Sequence, residues 1–295
     1  MNDTHDIALA PADRKATLYV VATPIGNLAD ISARALTVLR GVNTIAAEDT
    51  RVTKRLLDHY GIVTRLIPVH EHNEAKAAQG IVALLAAGHS VALVSDAGTP
   101  AISDPGARLV AAVRAAGYAV SPIPGASAAV AAVSASGFAA PHFLFYGFLP
   151  ARSSARRTEL EALAALPHTL VFYEAPHRVA ECVADLALVL GGARRLLIAR
   201  ELTKLFEECE ICALHDAPAW LTAHPHRGKG EFALVVEGAG ELSAVAMDAG
   251  ADKTLSALLD ELPLKQAVAL AVKITGGNRN ALYQRALALK NEPAD

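Results

Sequence analysis

The polar stretch SDAGTPAISDPG follows the apolar run SVALV and combines carboxylates, hydroxyls and glycines with no basic residue. Its second aspartate, Asp104, precedes a proline and a helical repeat, which predicts a helix N-cap with proline at the first helical position. Asp96, Gly98 and Thr99 are then left to meet a ligand, because glycine lets the backbone approach closely and a carboxylate suits a ribose diol or a cation. A phosphate group would draw at least one lysine or arginine. The stretch therefore predicts a site for a nucleoside without phosphates.

A second polar turn, AEDTR, brings two acids and a base to the end of the run NTIA. Glu48 and Asp49 are candidates to accept a proton, and Arg51 is a candidate to stabilise negative charge. An equally simple interpretation is that Asp49 or Thr50 caps a helix and that Arg51 lies on the helix surface. A third turn, TPIGNLADIS, has one glycine and lacks the G-x-G-x-x-G fingerprint of dinucleotide sites.

Two further patterns have the spacing of metal or redox sites. His70 and His72 in HEHNE are two residues apart, but a strand end running into an Asn73 N-cap explains them as well. Cys209 and Cys212 form a C-x-x-C within a run that alternates like a strand, which places the two thiols on opposite faces. We therefore predict no metal site.

The elements that must position these turns are visible as a repeating pattern. Strand-like runs alternate with helix-like runs from residue 18 to residue 124, which is typical of an α/β domain with a largely parallel sheet. Several strands then follow one another directly, so the second half predicts a mixed sheet. The three polar turns follow strands, and ligands of open α/β sheets bind outside the carboxyl ends of the strands.

The pattern divides the chain into four segments. We predict a disordered lead-in at 1–16, an α/β domain at 17–124, a second α/β domain at 125–240, and a linker with a basic helical extension at 241–295. In the extension, residues 263–290 carry five basic residues and no acid, and they form two predicted helices broken at TGGNR. The basic charge is thus concentrated in the tail.

Composition narrows the class of protein. The 295 residues include 27 basic and 30 acidic ones, for a net charge of −3, which argues against nucleic-acid binding through overall charge. The most membrane-like stretch, GASAAVAAVSASGFAA, is shorter than the roughly 20 apolar residues that span a bilayer. The N-terminal residues lack a signal-peptide core, and three cysteines make no disulfide framework. We expect a cytoplasmic protein without a membrane partner.

Nine short motifs, in this order and spacing, closely resemble the ribosomal RNA small subunit methyltransferase I family of the tetrapyrrole methylase superfamily. They are TPIGNLADIS, AEDTR, HEHNE, SDAGTPAISDPG, PIPGASA, FYGFLP, FYEAPHR, ARELTK and GEFALVVEG. The tail segments LPLKQA and NRNALYQ resemble the family's C-terminal extension. The resemblance covers residues 18–290, nearly the whole chain.

The resemblance implies two α/β domains of tetrapyrrole methylase type with S-adenosylmethionine in the cleft between them. It also implies a homodimer and 2′-O-methylation of a cytidine in the decoding region of 16S ribosomal RNA, with the 30S subunit as the expected partner. The family's donor-binding loops and the GEFALVVEG strand map onto this chain by motif. Apart from that strand, the implied donor residues are Pro24, Gly26, Asn27, Asp96, Ala97, Gly98, Thr99, Ile102, Asp104, Gly125, Ala126 and Ser127.

Transfer of a methyl group to a ribose hydroxyl needs a group that accepts the hydroxyl proton, because the hydroxyl is far too weak an acid to ionise near neutral pH. Glu48 with Asp49 is our first choice, and Glu174, His177 and Glu201 are the alternatives that the sequence leaves open. Arg51, Arg178 and Lys204 are candidates to hold RNA phosphates or developing charge.

For RNA binding, the basic extension resembles a helix-turn-helix, and a cluster of arginines follows the aromatic run FLFYGF. The candidate RNA-binding residues are Arg152, Arg156, Arg157, Lys265, Lys273, Arg279 and Arg285. Each group could instead form a solvated helix face. The sequence leaves two other functions open. One is a methylase that acts on a corrin precursor or a protein, although such a substrate gives no reason for a basic tail. The other is a non-catalytic RNA-binding assembly factor.

Overall fold

A computed structural model describes residues 16–70, 72–239, 249–275 and 279–291 of the chain. The predicted lead-in before residue 16, most of the predicted linker and the central residues of the TGGNR turn lie outside these ranges. Within them the chain forms two five-stranded sheets followed by a group of helices. None of the helices in these ranges is both long and apolar enough to cross a membrane.

The first sheet is entirely parallel, with the strand order β3-β2-β4-β1-β5. Its strands are β1 (Thr17–Val21), β2 (Thr44–Ala47), β3 (Arg65–Pro68), β4 (Val91–Val94) and β5 (Ala119–Ile123). Its helices are α1 (Ala33–Gly41), α2 (Thr50–His59), α3 (Glu74–Ala86) and α4 (Ala107–Ala115). Separate apolar clusters cover its two faces, and β2 and β4 are buried along their whole length, which explains their continuous apolar sequences.

The second sheet has the order β6-β7-β10-β8-β9, with β6 parallel to β7 and the other pairs antiparallel, so the prediction of a mixed sheet is confirmed. Its strands are β6 (Phe143–Phe148), β7 (Thr169–Glu174), β8 (Arg195–Arg200), β9 (Glu208–Ala213) and β10 (Phe232–Val236). Helix α5 (Ala128–Ser136) packs against one face, and α6 (Ser153–Leu163), α7 (Val179–Leu190) and α8 (Ala217–Thr222) cover the other. In β9, Cys209 is exposed whereas Cys212 packs against the core.

Three helices follow the second sheet: α9 (Ala249–Glu261), α10 (Leu264–Thr275) and α11 (Arg279–Asn291). They enclose a core of their own that includes Leu255, Val268 and Leu282. The sequence pattern predicted only the last two helices. The predicted segment 241–295 was expected to begin with a linker and two helices, whereas α9 already begins at Ala249 and adds a third helix.

The start of α4 also differs from the prediction. Asp104 does not cap a helix: α4 begins at Ala107, and its N-cap position is Gly106, whose φ of 138° favours glycine. The carboxylate that caps the helix comes from Glu74, thirty-two residues before Gly106 in the chain. Asp104 instead lines the cleft described below.

Candidate active site

The loops after β1 and β4 are joined where these neighbouring strands end. Thr23 and Gly98 form an antiparallel bridge, with N–O distances of 2.9 and 3.1 Å, and the Thr23 hydroxyl donates to the Ser95 carbonyl at 3.1 Å. Gly98 has a φ of 77°, so the bridge depends on a backbone conformation that glycine adopts without strain. Two of the three polar turns found in the sequence are therefore held together.

A cleft of about 350 Å³ lies between these loops and the second sheet. The wall from the first half of the chain includes Ala97, Gly98, Thr99, Ile102, Asp104 and Ser127. The opposite wall includes Phe148, Tyr173, Ala175, Leu202, Glu231 and Phe232. No lysine or arginine of the described ranges lines the cleft. The site is thus largely apolar, with carboxylates as its charged groups.

The predicted donor residues fall into two groups around this cleft. The six residues of the first wall were all predicted, whereas Asp96, Gly125 and Ala126 lie next to lining residues and do not line the cleft themselves. The Thr99 hydroxyl donates to the Ala126 carbonyl at 3.2 Å, which ties the loop after β4 to the loop after β5. A Cβ at Gly125 would lie 2.9 Å from the Ala22 Cβ, so only glycine fits there.

In the TPIGN turn, Ile25 lines the cleft, and the predicted Pro24, Gly26 and Asn27 do not. The loop after β8 covers the last two of these. The Asn27 N–H donates to the Thr203 hydroxyl at 3.1 Å, and a Cβ at Gly26 would clash with the Lys204 side chain. Gly26 and Asn27 therefore join the two halves of the chain.

Three carboxyl groups gather at the ends of β2 and β4. The Asp49 N–H donates to the Asp96 carboxylate at 3.0 Å, and the Asp96 N–H donates to the Glu48 carboxylate at 3.4 Å. Burial raises the pKa of Glu48, and the negative charge of Asp104 raises it further. Burial likewise raises the pKa of Asp96 and of Asp104. These carboxyls form a site that favours a cation, because a positive charge would relieve both their burial and their repulsion.

Asp49 and Arg51 follow the alternative interpretation, in which they form the start of a helix. Asp49 is the N-cap of α2, accepting from the Arg51 N–H at 2.8 Å, and its carboxylate also pairs with the Arg51 guanidinium at 2.6 Å. These bonds lower the pKa of Asp49 to about 2. The Arg51 side chain is 86% exposed. Neither residue lines the cleft. Glu48 does not line it either, but its carboxylate accepts from the Asp96 N–H beside the cleft wall and burial raises its pKa, which leaves Glu48 as the catalytic candidate of this turn.

Of the other candidate proton acceptors, His177 is exposed, whereas Glu174, which lines the cleft, and Glu201 are held in ion pairs. The Glu174 side chain is fully buried and paired with Arg178, and the Arg178 guanidinium also donates to the Leu149 carbonyl at 2.6 Å. Glu201 accepts from Lys204 at 2.8 Å, and Lys204 also pairs with Glu231 at 2.9 Å. Lys204 is thus neutralised by two carboxylates and is poorly suited to hold an RNA phosphate.

The arginine cluster after β6 departs from the prediction at one position. Arg156 was predicted to bind RNA, but its side chain is completely buried and donates to Asp185 at 2.7 Å, so this prediction was wrong. Arg157 also donates to Asp185, at 2.6 Å, and keeps about half of its surface in solvent. Arg152 is exposed at the start of α6. Only the last two remain available for an RNA contact.

Of the basic residues predicted in the tail, Lys265, Lys273 and Arg279 are exposed, and Arg285 is half-buried. At HEHNE, the Asn73 side chain accepts from the His70 N–H at 2.8 Å and makes no cap bond to α3. Across the described ranges, no group of three or more His, Cys, Asp or Glu side chains is arranged to hold a metal ion.

Among the lining residues that were not singled out from the sequence are Ile25, Phe148, Tyr173 and Leu202. Phe148 and Tyr173 form an aromatic pair with ring centroids 5.8 Å apart, and the Tyr173 hydroxyl accepts from the Ala129 N–H at 3.0 Å. Their signal was an aromatic residue at or next to the last position of a strand, in FYGF and VFYE. That signal carries no information on which sheet face the ring occupies.

Comparison with known proteins agrees with this architecture. The family model described as Tetrapyrrole (Corrin/Porphyrin) Methylases matches residues 17–218, and the one described as RsmI C-terminal HTH domain matches residues 245–290. The solved uroporphyrin-III-C-methyltransferase from Thermus thermophilus covers 76% of this chain at 22% identity, with a TM-score of 0.53 and 94% of its own chain aligned. The cobalamin biosynthetic enzyme cobalt precorrin-4 methyltransferase covers 75%, with 95% of its own chain aligned, at 14% identity and a TM-score of 0.59. At these identities the structures show the fold alone.

Sequence relatives are much closer. Ribosomal RNA small subunit methyltransferase I of Pseudomonas aeruginosa is 50% identical over 275 residues, which are 92% of this chain and 96% of the relative. The protein of the same name from Escherichia coli O157:H7 is 49% identical over 270 residues, 92% of this chain and 94% of the relative. The chain belongs to the ribosomal RNA small subunit methyltransferase I family, within the tetrapyrrole methylases.

Proposed function

We propose that this protein transfers a methyl group from S-adenosylmethionine to the 2′-hydroxyl of a cytidine in the decoding region of 16S ribosomal RNA. The observation that carries the proposal is the cleft between the two sheets, which is lined by apolar groups and carboxylates in a chain of this family. Among the described residues that line it there is no basic side chain, so the cleft suits a cationic nucleoside better than a nucleotide.

The residues present fit such a donor. Raised pKa values at Glu48, Asp96 and Asp104 reflect partly desolvated negative charge that a sulfonium cation would offset. Gly98 lines the cleft, and Phe148 with Tyr173 offers an apolar wall for a flat ring. Asp104 lines the cleft and Asp96 lies next to a lining residue, and either carboxylate suits a ribose diol.

Bound S-adenosylmethionine would supply an already activated methyl group for in-line displacement. What the chain itself must add is alignment and a proton acceptor. Glu48 is our candidate acceptor: it is partly buried, it contacts the Asp96 backbone, and its raised pKa makes its carboxylate a stronger base than an exposed glutamate. We propose no direct catalytic role for Asp49, whose carboxylate is held by Arg51 and whose low pKa makes it a weak base.

RNA would be held outside the cleft. The exposed Lys265, Lys273 and Arg279 of the tail and the exposed Arg152 beside the cleft strand β6 are the basic groups we assign to phosphate contacts. A small corrin substrate would give no use to this appendage. We further propose that the protein acts as a cytoplasmic homodimer, which light scattering of the purified protein would test.

The test is transfer of labelled methyl groups from S-adenosylmethionine to 30S subunits, 70S ribosomes and free 16S RNA, followed by mapping of the labelled nucleotide. We expect label on one ribose in the decoding region. Label on a base would refute the proposed chemistry but not the donor site. No measurable affinity for S-adenosylmethionine would refute the enzyme and leave an RNA-binding assembly factor.

A truncated protein that ends at residue 239 tests the tail. It should retain donor affinity within about twofold and lose most affinity for RNA, because the assigned phosphate contacts add a salt-dependent term of their own. Equal loss of both affinities would mean that the tail stabilises the fold. The matched control is the full chain with Lys265, Lys273 and Arg279 replaced by glutamine, which removes charge and keeps the helices.

A further inference from the structure

The loop that lines the cleft is fastened by a carboxylate from a different helix. Glu74 lies in the first turn of α3, and its Oε1 accepts three backbone N–H groups, those of Gly106, Arg108 and Leu109, at 3.0, 3.0 and 3.1 Å. These are N–H groups at the start of α4, which an α-helix leaves without internal partners. The N-cap residue Gly106 has no side chain to bond them.

Glu74 is well placed for this contact because α3 and α4 pack side by side. Its side chain is buried, with 6% of the residue exposed. Glu74 is one of few charged residues that are buried in the described ranges. A buried carboxylate is costly unless its oxygens accept hydrogen bonds, and the positive end of a helix dipole offsets its charge further. The three bonds and the helix start therefore stabilise an otherwise unfavourable group.

The fastened segment connects directly to the cleft wall. The loop from Thr99 to Asp104 runs between the Thr23–Gly98 bridge at one end and the Glu74 contact at the other. Within it, Ala101 has a φ of 64°, a conformation that costs an alanine roughly 1 kcal/mol and that persists only when the surroundings impose it. Thr99, Ile102 and Asp104 reach the cleft from this loop.

We infer that Glu74 is the positioning residue of the donor loop. Its carboxylate holds the start of α4, and this contact keeps the strained loop in the conformation that presents Asp104 and Ile102 to the donor. The inference rests on the proposed function, because it assumes that the cleft binds the methyl donor. Without Glu74 the loop would sample other conformations, and the measured donor affinity would fall in proportion to the fraction that stays competent.

The experiment compares Glu74→Ala, Glu74→Gln and a matched control, Asp185→Asn. Asp185 is also a buried carboxylate with several hydrogen bonds, but its partners Arg156, Arg157 and Ser153 lie on α6 in the second half of the chain. All three variants should lower the unfolding temperature. The measurements are the dissociation constant for S-adenosylmethionine, the KM for donor and for 30S RNA, and amide exchange of residues 99–109, all well below the unfolding temperature.

We expect Glu74→Ala to raise the donor dissociation constant and donor KM about tenfold or more, as expected if one molecule in about ten keeps the competent loop. The KM for RNA should stay within about twofold, and amides of residues 99–109 should exchange faster. Glu74→Gln, which keeps an acceptor oxygen, should fall between. If Glu74→Ala does not fold, Glu74→Gln carries the same comparison with a smaller effect.

The inference would be overturned if the Glu74 variants lost as much stability as Asp185→Asn but kept normal donor affinity and slow amide exchange. Glu74 would then be a purely structural cap. A donor affinity that falls equally in Asp185→Asn would also overturn it. If the unaltered protein does not bind S-adenosylmethionine, the proposed function fails first and the role of Glu74 fails with it. If the unaltered protein binds S-adenosylmethionine, a failed prediction for the Glu74 variants concerns the role of Glu74 alone.

Discussion

Replacing Arg156 by alanine should lower the stability of the second half of the protein and leave RNA binding unchanged. The Arg156 side chain is fully buried in α6, its Nε donates to Asp185 at 2.7 Å, and its Nη1 lies 3.3 Å from the Ala151 carbonyl. Asp185 keeps two further donors, Arg157 at 2.6 Å and Ser153 at 2.9 Å. The substitution therefore removes one of three partners of a buried carboxylate and opens space in the core.

Removal of one partner from a buried ion pair costs about 3–5 kcal/mol, because the remaining charge is left without compensation. The two donors that stay on Asp185 place the expected loss at the lower end, about 3 kcal/mol. With a urea dependence of about 3 kcal/mol per molar, this loss lowers the unfolding midpoint by about 1 M. Burial alone would raise the pKa of Asp185, but bonds from Arg157, Arg156 and Ser153 outweigh it and lower that pKa.

The lowered pKa of Asp185 predicts the direction in which stability changes with pH. Asp185 contributes stability above its unfolded pKa, and this contribution is lost as the pH falls through its folded value. The difference in stability between the unaltered protein and Arg156→Ala should therefore shrink in acid. The assay is urea unfolding between neutral and acidic pH, together with RNA affinity. The control is Arg152→Ala, an exposed neighbour that should weaken RNA binding at constant stability. A stable Arg156→Ala variant with weakened RNA binding would refute the buried position of Arg156.

Three further substitutions test the site. Glu48→Gln should lower kcat by about 100-fold and remove the acidic limb of the pH–rate profile. It should weaken donor affinity by far less than it lowers kcat, because it removes one of three carboxylates whose charge a sulfonium cation would offset. Because burial raises the pKa of Glu48, its charged form destabilises the fold above that pKa, so the variant should be more stable at neutral pH in urea unfolding. Gly106→Ala should cost about 1–3 kcal/mol of stability, since φ is 138° and the new Cβ would lie 3.0 Å from Leu93, as thermal unfolding can measure. Lys204→Met should leave the salt dependence of RNA binding unchanged, because two carboxylates already neutralise the ammonium group; a reduced slope in a salt titration would show that Lys204 meets phosphate.

The alternation of strands and helices was readable because it depends on local pattern. In the first sheet, β2 and β4 are buried on both faces and appear as unbroken apolar runs, and a parallel sheet follows from the helices between them. The mixed character of the second sheet followed from strands in direct succession. The helix α9 was missed because its first residues include small and polar types that read as a continuation of the linker.

The errors at Arg156 and at the start of α4 share one physical reason. Arg156, Leu160 and Leu163 follow the i, i+4, i+7 spacing of one buried helix face, and Glu74 starts a similar stripe with Ala78 and Ile81 in α3. A charged residue in a buried stripe is a signal of a partner elsewhere in the fold. Arg156 was predicted on the surface because arginine is usually exposed, although its position in the stripe indicated burial. The partners themselves, on other helices, are fixed by tertiary packing and cannot be read from local sequence.

The distribution of charge connects the cleft with the proposed substrate. The acids in and beside the cleft would attract the proposed cationic donor and repel the RNA backbone, while the exposed lysines and arginines that we assign to RNA lie outside the lining. An RNA held by these outer groups could place only a single nucleotide, turned out of its strand, into the cleft. Its phosphates would stay at the margin of the cleft. Ser103→Asp, which raises the negative charge of the cleft, should therefore slow RNA methylation without lowering the affinity for the methyl donor. Weaker donor affinity in that variant would contradict the attraction between these acids and a cationic donor.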